Sequence, residues 1–556
     1  MTETARTGAD AAQCDVVVVG AGFAGIYALH QANKRELSVR AFESGTNVGG
    51  TWFWNSYPGA RCDLESYAYS YFFDDDLVRS WNWNEVCAAQ PDIQRYLRHV
   101  AERCNVLKDI QFGTKVVSTV YDEATSTWTV RTNQGETVVC KYLVLTIGSL
   151  SEPKAVDIPG VETFAGEIYY TSAWPKDRLV NLTGKRVGVI GTGSSGVQVI
   201  PEIAAVASKV HVFQRTANYV LPNKEGAIDP SVISKLREDP ASFRAALRKT
   251  YAGHHVLEVG KRKFADMTEE EREAAMEEAW NGNYINFAFP DYHLGNANNV
   301  LSAFIQRKMH AQVRDPHTAE RLTPRDHPFG GKRPCVSNAY LPTFNLPHVH
   351  LVSLRDTPIE RIEPSGVVTF EGKVELDVLV CATGFDAITG PVMAIDIRGI
   401  GGVTMREVWS DGPQNYLGTM IHGFPNMFLA SSAMTPSVLS NMATLAEQQG
   451  DFIFDTITWL HASGEKGLHP KLESQDAWRD ETLRMAERRP GAMTTNSWYN
   501  GANIPGKPRV FLVYCGGFKR YHEKCDAEHE AGFPGYEHLL STTASSMPDQ
   551  SIKETL

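Results

Sequence analysis

Two glycine clusters are the first residues in this chain whose spacing points to chemistry. Gly20-Ala21-Gly22-Phe23-Ala24-Gly25 and Gly191-Thr192-Gly193-Ser194-Ser195-Gly196 both read G-x-G-x-x-G. In that spacing the first glycine permits a tight turn and the second lets backbone approach a diphosphate. The third lets the following helix pack closely on its strand. The unpaired N–H groups at the helix start then face the anion. The residues that close the two units differ in charge. Glu43 closes the first and suits hydrogen bonds from a ribose 2′-hydroxyl, which admits FAD or NAD and repels a 2′-phosphate. Gln214-Arg215-Thr216 closes the second, where a cation and a hydroxyl favour NADP over NAD. Taken alone, Arg215 also reads as a surface arginine at a strand end.

Three further stretches carry reactive or binding side chains. Gly49-Gly50-Thr51-Trp52-Phe53-Trp54 sets aromatics behind paired glycines, which suits either a flat ligand ring or a loop with core aromatics. Arg61-Cys62-Asp63 follows, and Asp63 beside Arg61 fits a plain ion pair as well as a site carboxylate. Phe329-Gly330-Gly331-Lys332-Arg333 places two cations behind a flexible hinge. Lys332 can join Arg215 at a 2′-phosphate and Arg333 can enter an active site, or both can decorate a surface loop. Asn496 to Lys507, polar, glycine-rich and aromatic, has the character of a loop covering a site.

The elements needed to position these residues are legible around them. Asp15–Val19 and Val187–Ile190 are β-branched runs feeding the two glycine turns, with helical patterns after each and short strands at 38–42 and 210–213. Leu143–Gly148 and Leu376–Gly384 read as buried strands ending at glycine. Alternation from about Gln111 to Cys140 predicts antiparallel strands inserted in the first unit. From about Asn223 to Asp326 the strand pattern stops. Thr268-Glu269-Glu270-Glu271 is a capping box opening a helix through Trp280, and a second helix with Val300, Phe304, Ile305 and Met309 stops before Asp315-Pro316. The expected fold is α/β, with two Rossmann-like dinucleotide-binding domains. The first takes residues 1–150 and 385–556, the second 151–222 and 336–384, and a helical insertion occupies 223–335.

Bulk properties narrow the function classes. A 556-residue chain is long enough for several cores, and its net charge of −11 argues against nucleic acid as a main partner. The nine cysteines show no C-x-x-C pair, as expected of a reducing cytoplasm. No histidine pair has metal-ligand spacing, so no metal is expected. Met1–Gln13 lacks an apolar signal region, and no run approaches the ~20 apolar residues of a membrane-spanning helix. The expected protein is cytoplasmic, with no membrane partner, and a monomer or weak oligomer.

Between the two glycine units lies Phe164-Ala165-Gly166-Glu167-Ile168-Tyr169-Tyr170-Thr171-Ser172-Ala173-Trp174-Pro175. With both units it resembles the type I Baeyer–Villiger monooxygenases, whose fingerprint is F-x-G-x-x-x-H-x-x-x-W-[P/D]. The likeness extends in family order through the 49–63 stretch, F-Q-R-T at Phe213, K-R at Lys332, A-T-G-F-D at Ala382 and S-W-Y-N-G-A-N-I-P-G-K-P-R at Ser497. The phenylacetone and steroid enzymes are the members it most resembles. The resemblance implies FAD held by Gly20, Gly22, Gly25, Glu43, Thr51, Trp52, Phe53, Trp54, Arg61, Cys62, Asp63, Tyr69 and Met442. It implies NADPH held by Gly191, Thr192, Gly193, Ser194, Ser195, Gly196, Arg215, Thr216, Lys332, Arg333 and Trp498. Arg333 and its partner Asp63 match the catalytic pair. The implied activity uses NADPH and O₂ to convert a ketone to an ester or lactone through a C4a-peroxyflavin.

Rival readings are a sibling flavin enzyme acting on sulfides or amines, an uncoupled NADPH oxidase, a disulfide reductase and a nucleotide-binding scaffold. Trp174-Pro175 favours the Baeyer–Villiger side over the siblings, whose fingerprint ends in tyrosine. The missing cysteine pair disfavours a disulfide reductase, and an intact Asp63 and Arg333 disfavour a scaffold. Two departures from the family pattern stand out. Tyr170 replaces the fingerprint histidine. Ala430 to Pro436 lacks the usual glycine-proline-glycine turn, which predicts a changed backbone wherever a glycine would have φ > 0.

Overall fold

The computed structural model describes residues 12–254, 262–282, 288–489 and 491–540. The N-terminal expectation for Met1–Gln13 falls mostly outside this range, as do the first and last residues of the first expected domain.

Two sheets organise the chain. The first begins with β1 (Ala12–Val19), β2 (Val39–Phe42), β3 (Ile110–Gln111), β4 (Val116–Asp122), β5 (Thr127–Thr132) and β6 (Thr137–Leu145). β1 is parallel to both β2 and β6, with Val17 opposite Leu143, and β4, β5 and β6 form an antiparallel ladder. Val16, Val17 and Val18 have no exposed surface, so β1 is apolar on both faces, as a parallel strand covered on both sides must be.

The second sheet holds β7 (Glu167–Tyr170), β8 (Arg186–Ile190) and β9 (Lys209–Gln214). A short pair, β10 (Val220–Leu221) with β11 (Cys335–Val336), lies beside it. β12 (Val349–Ser353) precedes the antiparallel β13 (Ile359–Glu363), β14 (Gly366–Thr369) and β15 (Gly372–Glu375), and β16 (Val378–Cys381) returns to the main sheet. Its order is β12-β9-β8-β16-β7, all parallel. Last, β17 (Asp396–Arg398) joins the first sheet beside β4, and β18 (Met427–Leu429) pairs with the end of β6.

The linker is therefore more than a connector outside the two units. Residues 167–170 are the edge strand of the second sheet, hydrogen-bonded along β16. Alternation explains the placement. Tyr169 faces Trp174 on the side of the helix Ser194–Ala204, while Ile168 and Tyr170 pack with Phe164 and Phe213 on the opposite side. A segment bonded into a sheet moves with that sheet, so any bending must occur outside 167–170.

Between β10 and β11 the described residues are helical, each helix started by a side-chain cap or an enclosed apolar face. Asp229 and Asp239 accept from Ser231 and Ser242, and Thr268 and Glu271 complete the capping box. Asp315-Pro316, read from sequence as a stop, also starts the helix Pro316–Leu322, with Asp315 accepting from Thr318 N–H. An aspartate followed by proline is a good first turn as well as a good terminator. Leu301, Phe304 and Ile305 pack this region onto the second sheet. The chain then returns to the first sheet, where the helix Met442–Ser463 lies along Phe23–Lys34.

Candidate active site

Both glycine turns show the same division of labour. A Cβ on Gly20 would lie 2.7 Å from the Thr146 carbonyl oxygen, and one on Gly25 would lie 2.0 Å from that of Gly20. The corresponding distances at Gly191 and Gly196 are 2.3 Å and 2.2 Å. Packing within the chain therefore forbids a side chain at the outer glycines. The middle ones differ: a Cβ on Gly22 meets only Gly50 at 3.4 Å, and one on Gly193 meets nothing within 4 Å. Nothing in the protein fills the space that glycine leaves there, which fits a diphosphate approaching the backbone. Both following helices also lack a side-chain cap.

Glu43 and the paired glycines shape the first cradle. The Glu43 carboxylate accepts from Ala21 N–H at 2.7 Å and Gly45 N–H at 2.6 Å, so it fixes the turn. Burial raises its pKa against those two bonds. Oε1 also takes a longer bond from the Ser44 hydroxyl at 3.4 Å, while Oε2 keeps a lone pair for a hydroxyl donor. Gly49 N–H bonds to the Ala21 carbonyl, laying the Thr51–Trp54 helix beside the first turn. Trp52 Nε1 donates to Tyr69 at 3.2 Å, and Phe23 packs on Tyr69 edge to face. Met442 opens the long helix Met442–Ser463, whose cap Asn441 donates to the Ala68 carbonyl beside Tyr69.

Arg215, exposed, and Lys332, half-buried, share the C-terminal edge of the second sheet with Arg355. Arg355 donates to the Arg215 carbonyl at 3.2 Å and pairs with Asp326. Burial, partly offset by Asp326 and reinforced by the two arginines, pulls the Lys332 pKa down. Sequence reading missed Arg355. Its signal was its place just after β12, the strand beside β9. Thr192 donates to the Thr216 carbonyl at 3.2 Å, tying the glycine turn to this edge.

The two halves meet at the segment 57–63. A Cβ on Gly59 would lie 2.5 Å from the Gln198 carbonyl, and Gln198 bonds both the Tyr57 hydroxyl and the Arg61 carbonyl. The Arg61 guanidinium turns to Glu85 at 3.3 Å, not to Asp63. Asp63 instead takes Arg333 Nη2 at 2.8 Å. Arg333 Nη1 donates to the Val438 carbonyl at 2.8 Å, and Tyr499 lies against the same guanidinium. The Arg333 side chain keeps 33 % of its surface accessible, so part of the guanidinium stays open to a ligand. Burial opposes its charge, but Asp63 more than restores it, so the guanidinium stays protonated.

The chain is similar over nearly its whole length to proteins of known activity. Acetone monooxygenase (methyl acetate-forming) of Gordonia sp. (strain TY-5) is 38% identical over 94% of this chain and 98% of its own. A Baeyer–Villiger monooxygenase of Pseudooceanicola batsensis is also 38% identical, over 96% and 97%. The chain belongs to the Baeyer–Villiger monooxygenase family. The solved OTEMO complex with FAD and NADP superimposes on this fold with a TM-score of 0.91 at 35% identity, over 95% of this chain and 100% of that one. The family model for pyridine nucleotide-disulphide oxidoreductases matches residues 14–264.

In this Baeyer–Villiger monooxygenase the C-terminal loop is pinned over the cleft. Asn503 donates to the Phe385 carbonyl at 2.9 Å, and Lys507 pairs with Asp386. Trp498 and Tyr499 pack edge to face, ring centres 4.6 Å apart, at the loop's start. The linker reaches the first cradle too: Lys176 Nζ sits 4.8 Å from the Phe53 ring centre and 5.4 Å from that of Trp54. At 430–436 the left-handed region is occupied by residues other than glycine. Ser431 and Met434 hold φ of +58° and +59° without glycine. Bonds from Ser431 N–H to Gln449 and from Met434 N–H to the Leu512 carbonyl hold them there. Away from the cleft, His422, His469 and Glu537 come within 4.8 Å of one another, a grouping hidden from sequence spacing.

Proposed function

We propose that this chain converts a ketone to an ester or lactone, using FAD, NADPH and O₂, at the cleft that holds Asp63 and Arg333. FAD would be held at the first turn by Gly20, Gly22, Gly25, Glu43, Thr51 to Trp54, Tyr69 and Met442. NADPH would be held by Gly191 to Gly196, with Arg215, Thr216 and Lys332 serving its 2′-phosphate and Trp498 a further contact. Residues 1–150 with 385–556 form the FAD domain, 151–222 with 336–384 the NADP domain, and 223–335 the helical insertion. When bound, flavin reduced by NADPH activates O₂ for attack on the ketone. The Arg61 side chain fits this arrangement least, because Glu85 already holds it.

The chain's own part is electrostatic. Arg333, anchored by Asp63 and the Val438 carbonyl, presents fixed N–H donors to negative charge growing on the substrate oxygen. A guanidinium cannot act as the proton donor, so it stabilises that charge without quenching it. Asp63 positions the fork, and the Trp498–Tyr499 loop keeps water out. The observation that carries the reading is the 2.8 Å contact of Asp63 with Arg333 between the two nucleotide turns. The test is incubation of the FAD-loaded protein with NADPH, ¹⁸O₂ and a panel of ketones. One labelled oxygen in an ester supports the proposal. NADPH consumed to peroxide with every ketone would reject it.

A further inference from the structure

Arg489 is a cation beside this site that neither the sequence reading nor the family resemblance gives a role. It follows the helix Leu472–Ala486, and its Nη2 would lie 3.8 Å from a Cβ on Gly330, so it packs against the segment leading to Arg333. Tyr251, Tyr292, Tyr499, Cys515 and His293 are among the ionisable groups around it. The Tyr499 hydroxyl bonds to Arg333 and is close enough to Arg489 to feel its charge as well. Arg489 is half-buried, so part of its side chain faces open space.

The charge balance is what distinguishes the two arginines. Arg333 has Asp63, whereas Arg489 forms no salt bridge with any carboxylate among the described residues. Glu481, earlier on the same chain segment, is taken by Arg520 and Lys524. A partly enclosed guanidinium with no carboxylate partner among the described residues is expensive to keep unless something anionic occupies its free face. Its planar fork matches a carboxylate in a bidentate geometry.

We infer that Arg489 binds a carboxylate carried by the substrate, so that the preferred substrates are keto acids whose carbonyl reaches Arg333 while the acid group pairs with Arg489. This rests on the ketone-oxygenation reading.

The test uses the FAD-loaded protein with 4-oxopentanoate, 6-oxoheptanoate and 8-oxononanoate, each against its methyl ester. For at least one chain length, kcat/KM of the acid should exceed that of the ester by about tenfold or more, the size of a charge-assisted contact. Arg489→Met should remove most of that preference, mainly through KM, and Arg489→Lys should restore part of it. Equal losses on acid and ester, or a raised KM for NADPH, would overturn the assignment. If no ketone is oxygenated at all, the function reading fails. The Arg489 assignment is then decided by calorimetric binding of the keto acids, whose affinity must drop in Arg489→Met but not in the exposed control Arg484→Met.

Discussion

Asp63 and Arg333 stand 270 positions apart and meet at 2.8 Å, with the Val438 carbonyl taking the other arm of the guanidinium. The contact joins the loop after the first nucleotide turn to the loop that ends the helical region. Arg333→Ala should leave reduction of bound flavin by NADPH within about twofold but lower ester formation by ~10²–10³, the loss typical of one preorganised donor. Arg333→Lys should recover little, because a point charge cannot span both acceptors. Anaerobic reduction rates read beside product yields check this. Ester formation persisting in Arg333→Ala would refute the role.

The cation cluster at the end of β9 predicts cofactor preference. Arg215, Lys332 and Arg355 share one edge, yet only Arg355 is already committed, to Asp326. Arg215→Ala and Lys332→Ala should each raise KM for NADPH by about tenfold or more, while NADH is hardly affected. Arg355→Ala should cost about two- to threefold, because its charge is partly neutralised. Parallel KM measurements with both nucleotides decide it, and equal effects on NADH would place the 2′-phosphate elsewhere.

How much of this could be read from the chain depended on sequence distance. The glycine turns, Glu43 and the Thr268 capping box are local arrangements, in which a few neighbouring residues dictate geometry. The meeting of Asp63 with Arg333 came through family likeness, because no pattern in either segment names the other. Arg355, Tyr499 and Arg489 were passed over for the same reason: each reaches its place through the packing of remote elements. Residues 167–170 carry no local sign of their place in the sheet, because their strand partner β16 arrives more than two hundred residues later. At 430–436 tertiary hydrogen bonds, not glycine, hold the left-handed residues, and no local pattern announces them.

Those left-handed residues give a stability prediction. Ser431 is buried, sits at φ +58° and makes its bond through backbone N–H to Gln449. Glycine keeps that bond and removes the Cβ strain, so Ser431→Gly should stabilise by ~1 kcal/mol. A proline there would lose the N–H and should destabilise strongly. Urea unfolding of both variants measures it. A Ser431→Gly protein weaker than wild type would mean the hydroxyl contributes more than the strain costs.

Glu65, two residues beyond Asp63, ties the same loop to the helical region. It pairs with Lys224 at 3.0 Å and His254 at 3.1 Å. Burial alone would raise its carboxyl, but His254 and Lys224 outweigh that and hold it at about 2. A carboxyl depressed on folding contributes stability above its unfolded value near ~4.3, and that contribution drains away as pH falls toward the folded value. Glu65→Gln should therefore be less stable than wild type at pH 7 by roughly 2–3 kcal/mol, with the gap shrinking below about pH 4.5. Unfolding measured from pH 7 down to pH 3.5 checks the sign. A gap that stays constant with pH would assign the loss to packing.

The linker separates a tolerant position from an intolerant one only four residues away. Tyr170 packs one ring face on the Phe164 and Phe213 cluster at the sheet edge, and its hydroxyl makes no hydrogen bond among the described residues. Trp174 is buried against Tyr169 in the core that covers the second sheet, and Lys176 beyond it reaches the rings of Phe53 and Trp54. Tyr170→His should thus change stability by less than ~1 kcal/mol, as edge substitutions do. Trp174→Ala should cost about 3–5 kcal/mol. Because Trp174 also sets where Lys176 emerges, loosening it should lower the yield of ester per NADPH consumed, whereas Tyr170→His should leave that yield near wild type. If Tyr170→His changed the yield as much as Trp174→Ala, the coupling would run through the strand β7 and not through the turn that follows it.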